Sequence, residues 1–341
     1  MKKYSSLITC LIIIALMAGM LRCCTMVANP QISADDFRIY IRPGETSAQI
    51  VDEIQSHEPK GTLTGLGWLL KLKKYDDNVK TGSYIIKKGA KPIAIMQMLR
   101  SGSQTPVRVV INSCRTIDKM AGSIASQLMA DSASIQQFLT DSVSLSSLGY
   151  TCQTVYEMVI PNTYEVYWNV SVEALMKRMA QEHDSFWSRR QEKVSAIGLT
   201  PHEVMTLASI VEEETAKADE MPIVAGLYMN RLQRGMLLQA DPTVIFALGG
   251  HRPKRVLNAH LETDSPYNTY KHAGLPPAPI RFVSPTSIDA VLNYTRHNYL
   301  YMCAKEDFSG YHNFATTLTQ HNANAARYQR ALSQQTRAQE K

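Results

Sequence analysis

Apolar residues run almost unbroken from Leu7 to Leu21, with Lys2 and Lys3 before them and Arg22 after. A run of that length fits a short membrane span or the core of a signal peptide. No small-x-small cleavage site follows, and the two lysines favour an N-terminus kept in the cytoplasm. An uncleaved transmembrane anchor over residues 1–28 is therefore expected, with the rest of the chain outside. Cys23 and Cys24 would suit lipid attachment, but Arg22 stands where that signal wants a small residue.

Beyond the anchor the pattern becomes short and alternating. Phe37-Arg38-Ile39-Tyr40-Ile41 alternates as a half-buried strand, Arg42-Pro43-Gly44 turns the chain, and a helix capped near Thr46 or Ser47 follows. Helical spacing returns from about Leu66 to Leu72, Gly82 to Ile86 predicts a second strand, and Pro92 to Leu99 predicts a helix ended by Ser101-Gly102. This makes a small α+β module over residues 29–105, with its boundary near Ser103 to Pro106. A strand at Val107 to Ile111 opens a larger region, residues 106–335, in which helical periods dominate: Thr116 to Met129, Ser132 to Leu139, Ser171 to about Arg190, one from Thr200, and about Asp219 to Arg234, closed by Gly235. Val159 to Tyr164 is expected as a proline-containing loop, and the polar tail at 336–341 is expected to fray. The predicted fold class is α+β.

The helix from Thr200 carries the strongest chemical signal. Thr200-Pro201-His202-Glu203 combines a hydroxyl N-cap, a proline at the first helical position and a glutamate three residues after the cap. With about 100° of rotation per residue, Val204, Leu207, Ala208 and Val211 share one stripe and Glu214 falls on its buried side. Glu212 lies at the other margin and Glu213 roughly opposite the stripe, so both are expected to reach water. A carboxyl held against apolar groups has its charged form destabilised and can donate a proton near neutral pH. The geometry of the helix alone leaves two roles open for Glu214, a general acid or a structural hydrogen bond.

Composition narrows the setting. The 341 residues are 45% hydrophobic and 19% charged, as in a folded chain long enough for two domains. The net charge of +6 owes much to Lys71, Lys73, Lys74, Lys80, Lys87, Lys88 and Lys91. A solvated basic face explains it, although an acidic polymer or anionic headgroups would also be attracted. Behind a membrane anchor, no nucleic-acid partner is expected. Cys114, Cys152 and Cys303 are scattered and odd in number, which predicts buried thiols in place of a disulfide framework. His202-Glu203-Val204-Met205-Thr206 lacks the second histidine of a zinc helix, so neither metal nor cofactor is expected.

Two further segments carry polar and aromatic groups. Gln239-Ala240-Asp241-Pro242-Thr243 re-enters a helix at Pro242 with Asp241 as its N-cap, which places Gln239 and Thr243 on a stiff corner. Ser265 to Tyr270 and Gly274 to Ile280 form a long proline-rich loop with Tyr267, Asn268 and Tyr270. Such a loop is either a rigid support or a sugar-binding surface, because aromatic faces stack on pyranoses while Asn, Gln and Tyr bind hydroxyls. His312 and Asn313 add polar groups that could line the same cleft.

In order, Ala208-Ser209-Ile210-Val211-Glu212-Glu213-Glu214-Thr215, Asn230-Arg231-Leu232, Gly235-Met236, Gln239, Asp241-Pro242-Thr243-Val244, Tyr267-Asn268-Thr269-Tyr270, Gly274-Leu275-Pro276-Pro277 and His312-Asn313-Phe314 resemble the endolytic murein transglycosylase family, also called MltG or YceG-like. The resemblance extends to the anchor and to the small module, where Gly82-Ser83-Tyr84 and Leu99-Arg100-Ser101-Gly102 are similar to the family's LysM-like region. It implies a lysozyme-like, mostly helical catalytic domain on the periplasmic side of the bacterial inner membrane. The implied reaction cuts the β-1,4 bond between N-acetylmuramic acid and N-acetylglucosamine inside nascent peptidoglycan strands. It leaves a 1,6-anhydromuramic acid end and so terminates glycan elongation beside the synthesis machinery.

The family's catalytic glutamate is the second of a Glu-x-Glu-Thr pattern, which corresponds to Glu214. The resemblance implies that Glu214 protonates the glycosidic oxygen and then takes the proton of the muramyl C6 hydroxyl as it closes on C1. Gln239, Thr243, Asn268, Tyr270, His312 and Asn313 are expected to bind substrate, and Glu212 to support Glu214 from behind or to be solvated. The chain departs from the family at Asn162, where aspartate is usual, at Met158, where glycine is common, and at Glu213, which replaces a frequent basic residue. A non-catalytic peptidoglycan-binding scaffold and a water-using muramidase are the competing readings.

Overall fold

A computed structural model describes residues 2–28, 31–59, 63–249 and 256–339. The fold is mixed α+β, with many helices and small two-stranded sheets. The chain divides into two compact units, one of Met1–Val109 with Gln127–Met129 and Glu165–Val170, the other of Val110–Ser126, Ala130–Tyr164 and Ser171–Lys341.

The first unit begins with α1 (Lys2–Ala28). Leu11, Ile12, Ile13, Ile14, Leu16 and Met17 on it are each between 48% and 67% exposed, which makes an exposed apolar helix surface. Among the described residues no single helix is long and apolar enough to cross a membrane, the apolar stretch of α1 being Leu11–Arg22. The side chains of Cys10, Cys23 and Cys24 lie outside those described.

After α1 come β1 (Phe37–Ile41), α2 (Ser47–Ser56), α3 (Thr64–Leu72), β2 (Gly82–Ile86), α4 (Pro92–Ser101) and β3 (Val107–Val110). The alternation in Phe37–Ile41 sends Ile39 and Ile41 into the core, and β1 pairs antiparallel with β2 from Phe37↔Ile86 to Ile41↔Gly82. Thr46 caps α2 in a capping box with Gln49, and Gly102 ends α4 in the left-handed conformation that glycine adopts without a Cβ clash. Ile50, Ile54, Leu66, Leu70, Ile95 and Leu99 close one apolar core between the sheet and these helices.

The second unit contains α5 (Ile117–Ala125), α6 (Ser132–Thr140), α7 (Ser142–Ser146), α8 (Val155–Met158), β4 (Thr163–Val166, whose end belongs to the first unit), α9 (Val172–Ser188), α10 (Gln191–Ile197), α11 (Pro201–Glu214), α12 (Met221–Gln233), α13 (Asp241–Ala247), α14 (Asn258–Leu261), α15 (Pro285–Leu292), β5 (Tyr301–Ala304), β6 (His312–Ala315) and α16 (Leu318–Gln339). The helix expected over Thr116 to Met129 ends at Ala125, and the expected loop before Tyr164 becomes a strand at Thr163. Asn162 takes the turn the loop needs, its Oδ1 accepting the Thr163 N–H at 2.7 Å. Helix α16 continues to Gln339, past the point where fraying is expected, and residues 340–341 lie outside the described residues. Of the three thiols expected to be buried, Cys114 and Cys303 are half-buried and Cys152 is exposed.

Helix α11 is the centre of this unit. Thr200 accepts the Glu203 N–H while the Glu203 carboxylate accepts the Thr200 N–H at 2.7 Å, the predicted capping box. Every residue from Val204 to Val211 is buried, so the helix is covered on all sides, not along one stripe. It packs against α12, α13 and α15. Gly226 lets the following chain lie close to α12, since a Cβ there would stand 2.2 Å from the Thr295 carbonyl oxygen. Asn230 Nδ2 donates to the carbonyls of His297 and Tyr299, and Arg231 Nε to that of Leu300, fixing the run into β5. The β5–β6 hairpin, paired from Tyr301↔Ala315 to Ala304↔His312, thereby stands beside α12.

Candidate active site

Glu214 is the last residue of α11 and faces a cleft of about 240 Å³. The opposite walls come from Tyr228 and Arg231 on α12, Gln239 and Asp241 at the corner into α13, Tyr270 from the long loop, and His312 on β6. Five separate segments meet at one carboxyl.

Burial raises the Glu214 carboxyl to about 7. The Tyr228 hydroxyl, which donates to Oε1 at 2.9 Å, and the Arg231 cation oppose the rise, while the Asp241 and Glu213 carboxylates add to it. Its place at a helix C-terminus, the negative end of the macrodipole, acts in the same direction as burial. Glu214 is thus a carboxylic acid that can both donate and take back a proton near neutral pH. Removing the hydrogen bond to its charged form should raise it further. In Tyr228→Phe the Glu214 titration, followed by carboxyl ¹³C NMR, is expected to move above about 7.

The neighbouring carboxylates correct the expectation that they reach water. Glu212 and Glu213 side chains are only 9% and 8% exposed, because α11 is enclosed and arginines from other segments meet them. Arg281 spans both, at 3.1 Å from Glu212 and 2.8 Å from Glu213, and Arg115 Nε adds contacts of 2.6 and 2.7 Å to Glu213. Glu212 also accepts from the Ser284 N–H and the Ser287 hydroxyl, each at 2.8 Å, and so fastens the N-terminus of α15.

The predicted substrate-binding residues divide into two groups. Gln239, Tyr270 and His312 line the cleft. Gln239 holds a positive φ of 51°, rare for a residue with a side chain, and its Oε1 accepts from Arg231 at 3.2 Å. Thr243 and Asn268 are fully buried and do not line it. Thr243 bonds to the Ala240 carbonyl and Thr269, while Asn268 Nδ2 donates to the Leu261 and Thr263 carbonyls and Oδ1 accepts the Tyr270 N–H. These residues brace the corner and the loop, and their polar groups are already satisfied there. Asn313 faces the opposite side of the strand from His312, with Nδ2 donating to Glu306 at 2.7 Å.

Three cleft groups were not legible as such in the sequence: Tyr228, Arg231 and Asp241. Asp241 was expected as an N-cap, but Ala240 occupies that position and Asp241 accepts the Tyr270 hydroxyl at 2.6 Å. Glu220, also missed, lies behind the wall and is 3% exposed. It accepts from the His312 N–H at 2.7 Å, from His312 Nδ1 at 2.8 Å and from the Thr215 hydroxyl at 2.9 Å. A carboxylate only accepts, so the imidazole proton sits on Nδ1 and Nε2 is left to meet a ligand. Glu220→Gln, whose amide can donate to Nδ1, is expected to switch the His312 tautomer, which imidazole ¹⁵N NMR would report. Among the described residues no group of three or more His, Cys, Asp or Glu side chains is placed to hold a metal ion.

A model of the YceG-like family matches residues 39–327, and the chain belongs to that family. A Bacillus subtilis protein named endolytic murein transglycosylase is 29% identical over 272 residues, 73% of this chain and 73% of that protein. A Streptococcus pneumoniae protein of the same name is 28% identical over 324 residues, covering 85% of this chain but 58% of its own length. A solved yceG-like protein of Listeria monocytogenes superposes with a TM-score of 0.58 at 26% identity, over 85% of this chain and 98% of its own.

Proposed function

We propose that this YceG-like chain is an endolytic murein transglycosylase, a lyase that cuts the β-1,4 bond between N-acetylmuramic acid and N-acetylglucosamine within a glycan strand and leaves a 1,6-anhydromuramic acid end. The observation that supports it most is Glu214, a carboxyl raised to about 7 at the bottom of a cleft lined with sugar-compatible groups.

In this mechanism Glu214 starts protonated and gives its proton to the bridging oxygen as the glycosidic bond breaks. Positive charge then develops at C1 and the ring oxygen. Asp241, whose carboxylate is oriented by Tyr270, supplies opposing negative charge in the same cleft. The Glu214 carboxylate next takes the proton of the muramyl C6 hydroxyl, whose oxygen closes on C1. The attacking oxygen is already part of the substrate, so no activated water is needed and one carboxyl serves both steps. Gln239 and the Nε2 of His312 hold the sugars in place. The acid must be protonated at the outset, so cleavage falls as pH rises through about 7.

Asp241 also supports a second reading. Two carboxyls in one cleft are the usual equipment of a hydrolase, in which Asp241 would activate water or attack C1. Product analysis by mass spectrometry decides between them. Uncrosslinked glycan strands treated with the full chain are expected to yield internal cuts ending in 1,6-anhydromuramic acid, and Asp241→Asn is expected to give the same ends about a hundredfold more slowly. Reducing ends in place of anhydro ends would assign hydrolysis. Absence of any cleavage would leave a peptidoglycan-binding scaffold.

The exposed apolar surface of α1 supports an anchor in the inner membrane with the remainder on the periplasmic side, close to the machinery that polymerises nascent strands. The order β1, α2, α3, β2 with the two strands paired supports reading residues 29–105 as a LysM-like glycan-docking module. Residues 106–335 are then the lysozyme-like catalytic domain.

A further inference from the structure

A second cavity, of about 350 Å³, is lined by the start of α5, the end of α11, α13 and Ile280. Its floor is apolar, made by Pro242, Ile245, Phe246 and Ile280, and its rim carries Arg115 and Lys119. We propose that it binds the acidic peptide carried by a muramyl residue whose sugar lies in the cleft, and that it makes the protein select peptide-bearing strands over bare glycan. This rests on the reading of the cleft as a murein-cleaving site.

The position comes from shared backbone. Glu214 and Asp241 line the cleft while their chain neighbours Glu213 and Pro242 line the second cavity. Consecutive Cα atoms are about 3.8 Å apart and an extended peptide advances about 3.3–3.6 Å per residue. The two cavities are thus separated by one step of backbone at each of these places, a step shorter than two or three extended peptide residues.

The charge has the right sign. Arg115 and Arg281 are balanced by the carboxylates they hold, Glu213 and Glu212. Asp118, next to Lys119, accepts from Gln136 Nε2 at 2.7 Å and does not line the cavity. Among the side chains that line the cavity, the two cations Arg115 and Lys119 face one carboxylate, Glu213, and Lys119 is exposed at the rim above an apolar floor. Peptides of murein combine small apolar side chains with free carboxylates, which is the chemistry such a pocket complements.

Affinity can be measured without turnover by using the full chain with Glu214→Gln. A muramyl disaccharide bearing its acidic peptide is expected to bind about tenfold more tightly than the same disaccharide without it. Adding Lys119→Glu, or Ile245→Asp with Lys119 intact, should bring the two affinities together with little change for the bare sugar, while Lys119→Arg should keep them apart. Equal affinities for the two disaccharides in the Glu214→Gln protein, no measurable binding of the peptide-bearing one, or a preference that survives Lys119→Glu would each overturn the proposal. The cleavage products of the unsubstituted chain test the lyase reading separately, so a failure of one is not mistaken for a failure of the other.

Discussion

Glu214→Gln is expected to lower strand cleavage by about a thousandfold or more. Gln keeps the shape of the side chain and can still meet the Tyr228 hydroxyl, but it carries no proton that it can transfer. Because one carboxyl both donates to the leaving oxygen and accepts from the C6 hydroxyl in the proposed mechanism, the substitution stops both steps. The fold should survive and, at alkaline pH, gain. In the folded chain the carboxyl remains neutral up to about 7, whereas an unfolded glutamate ionises near its ordinary value of 4.5. The unfolded state is therefore favoured increasingly as pH rises between those values, and the penalty stays constant above them. Gln removes it. Thermal unfolding at pH 8 should show a higher Tm for Glu214→Gln than for the unsubstituted chain, with little difference at pH 4. Equal cleavage rates for the two proteins would remove Glu214 from the mechanism.

Arg281→Met is the second substitution with a large expected effect, and it acts on stability. The Arg281 side chain is 12% exposed and bridges two carboxylates that are themselves nearly buried. Its loss leaves Glu212 without its cation and Glu213 with Arg115 alone. Breaking a buried pair from one side costs about 3–5 kcal/mol, because a desolvated charge is left behind. At about 2–4 °C per kcal/mol for a unit of this size, the Tm should fall by roughly 10 °C. Adding Glu212→Gln should recover part of the loss, since the charge that had become unpaired is then absent, although the Ser284 and Ser287 contacts weaken. If Arg281→Met unfolds within a degree of the unsubstituted chain, the bridge is not what stabilises the end of α11.

Much of the framework was legible because it depends on neighbours in the chain. Thr46, Thr200 and Gly102 stop or start helices through hydrogen bonds and backbone angles a few residues away, and the alternation of Phe37–Ile41 places Ile39 and Ile41 inside whatever the strand packs against. The helical period also places Glu214 on the inward side of α11. The β5–β6 hairpin and α15 were not anticipated. Tyr301–Ala304 and His312–Ala315 are four residues each, and the run that leads into the first of them is fixed by side chains of α12 that lie far away in sequence.

The sequence by itself determined the α+β class, the start and direction of α11, and the place of Glu214 beside the apolar stripe of that helix. Those properties follow from local hydrogen bonding and from the period of apolar residues. Only the tertiary structure decided that Glu212 and Glu213 are held by arginines, that Thr243, Asn268 and Asn313 face away from the cleft, and that Tyr228, Arg231 and Asp241 face into it. The physical reason is that desolvation and pairing are set by groups brought in from distant segments. A residue's neighbours in the chain give its direction along a helix or strand, but not what it meets there.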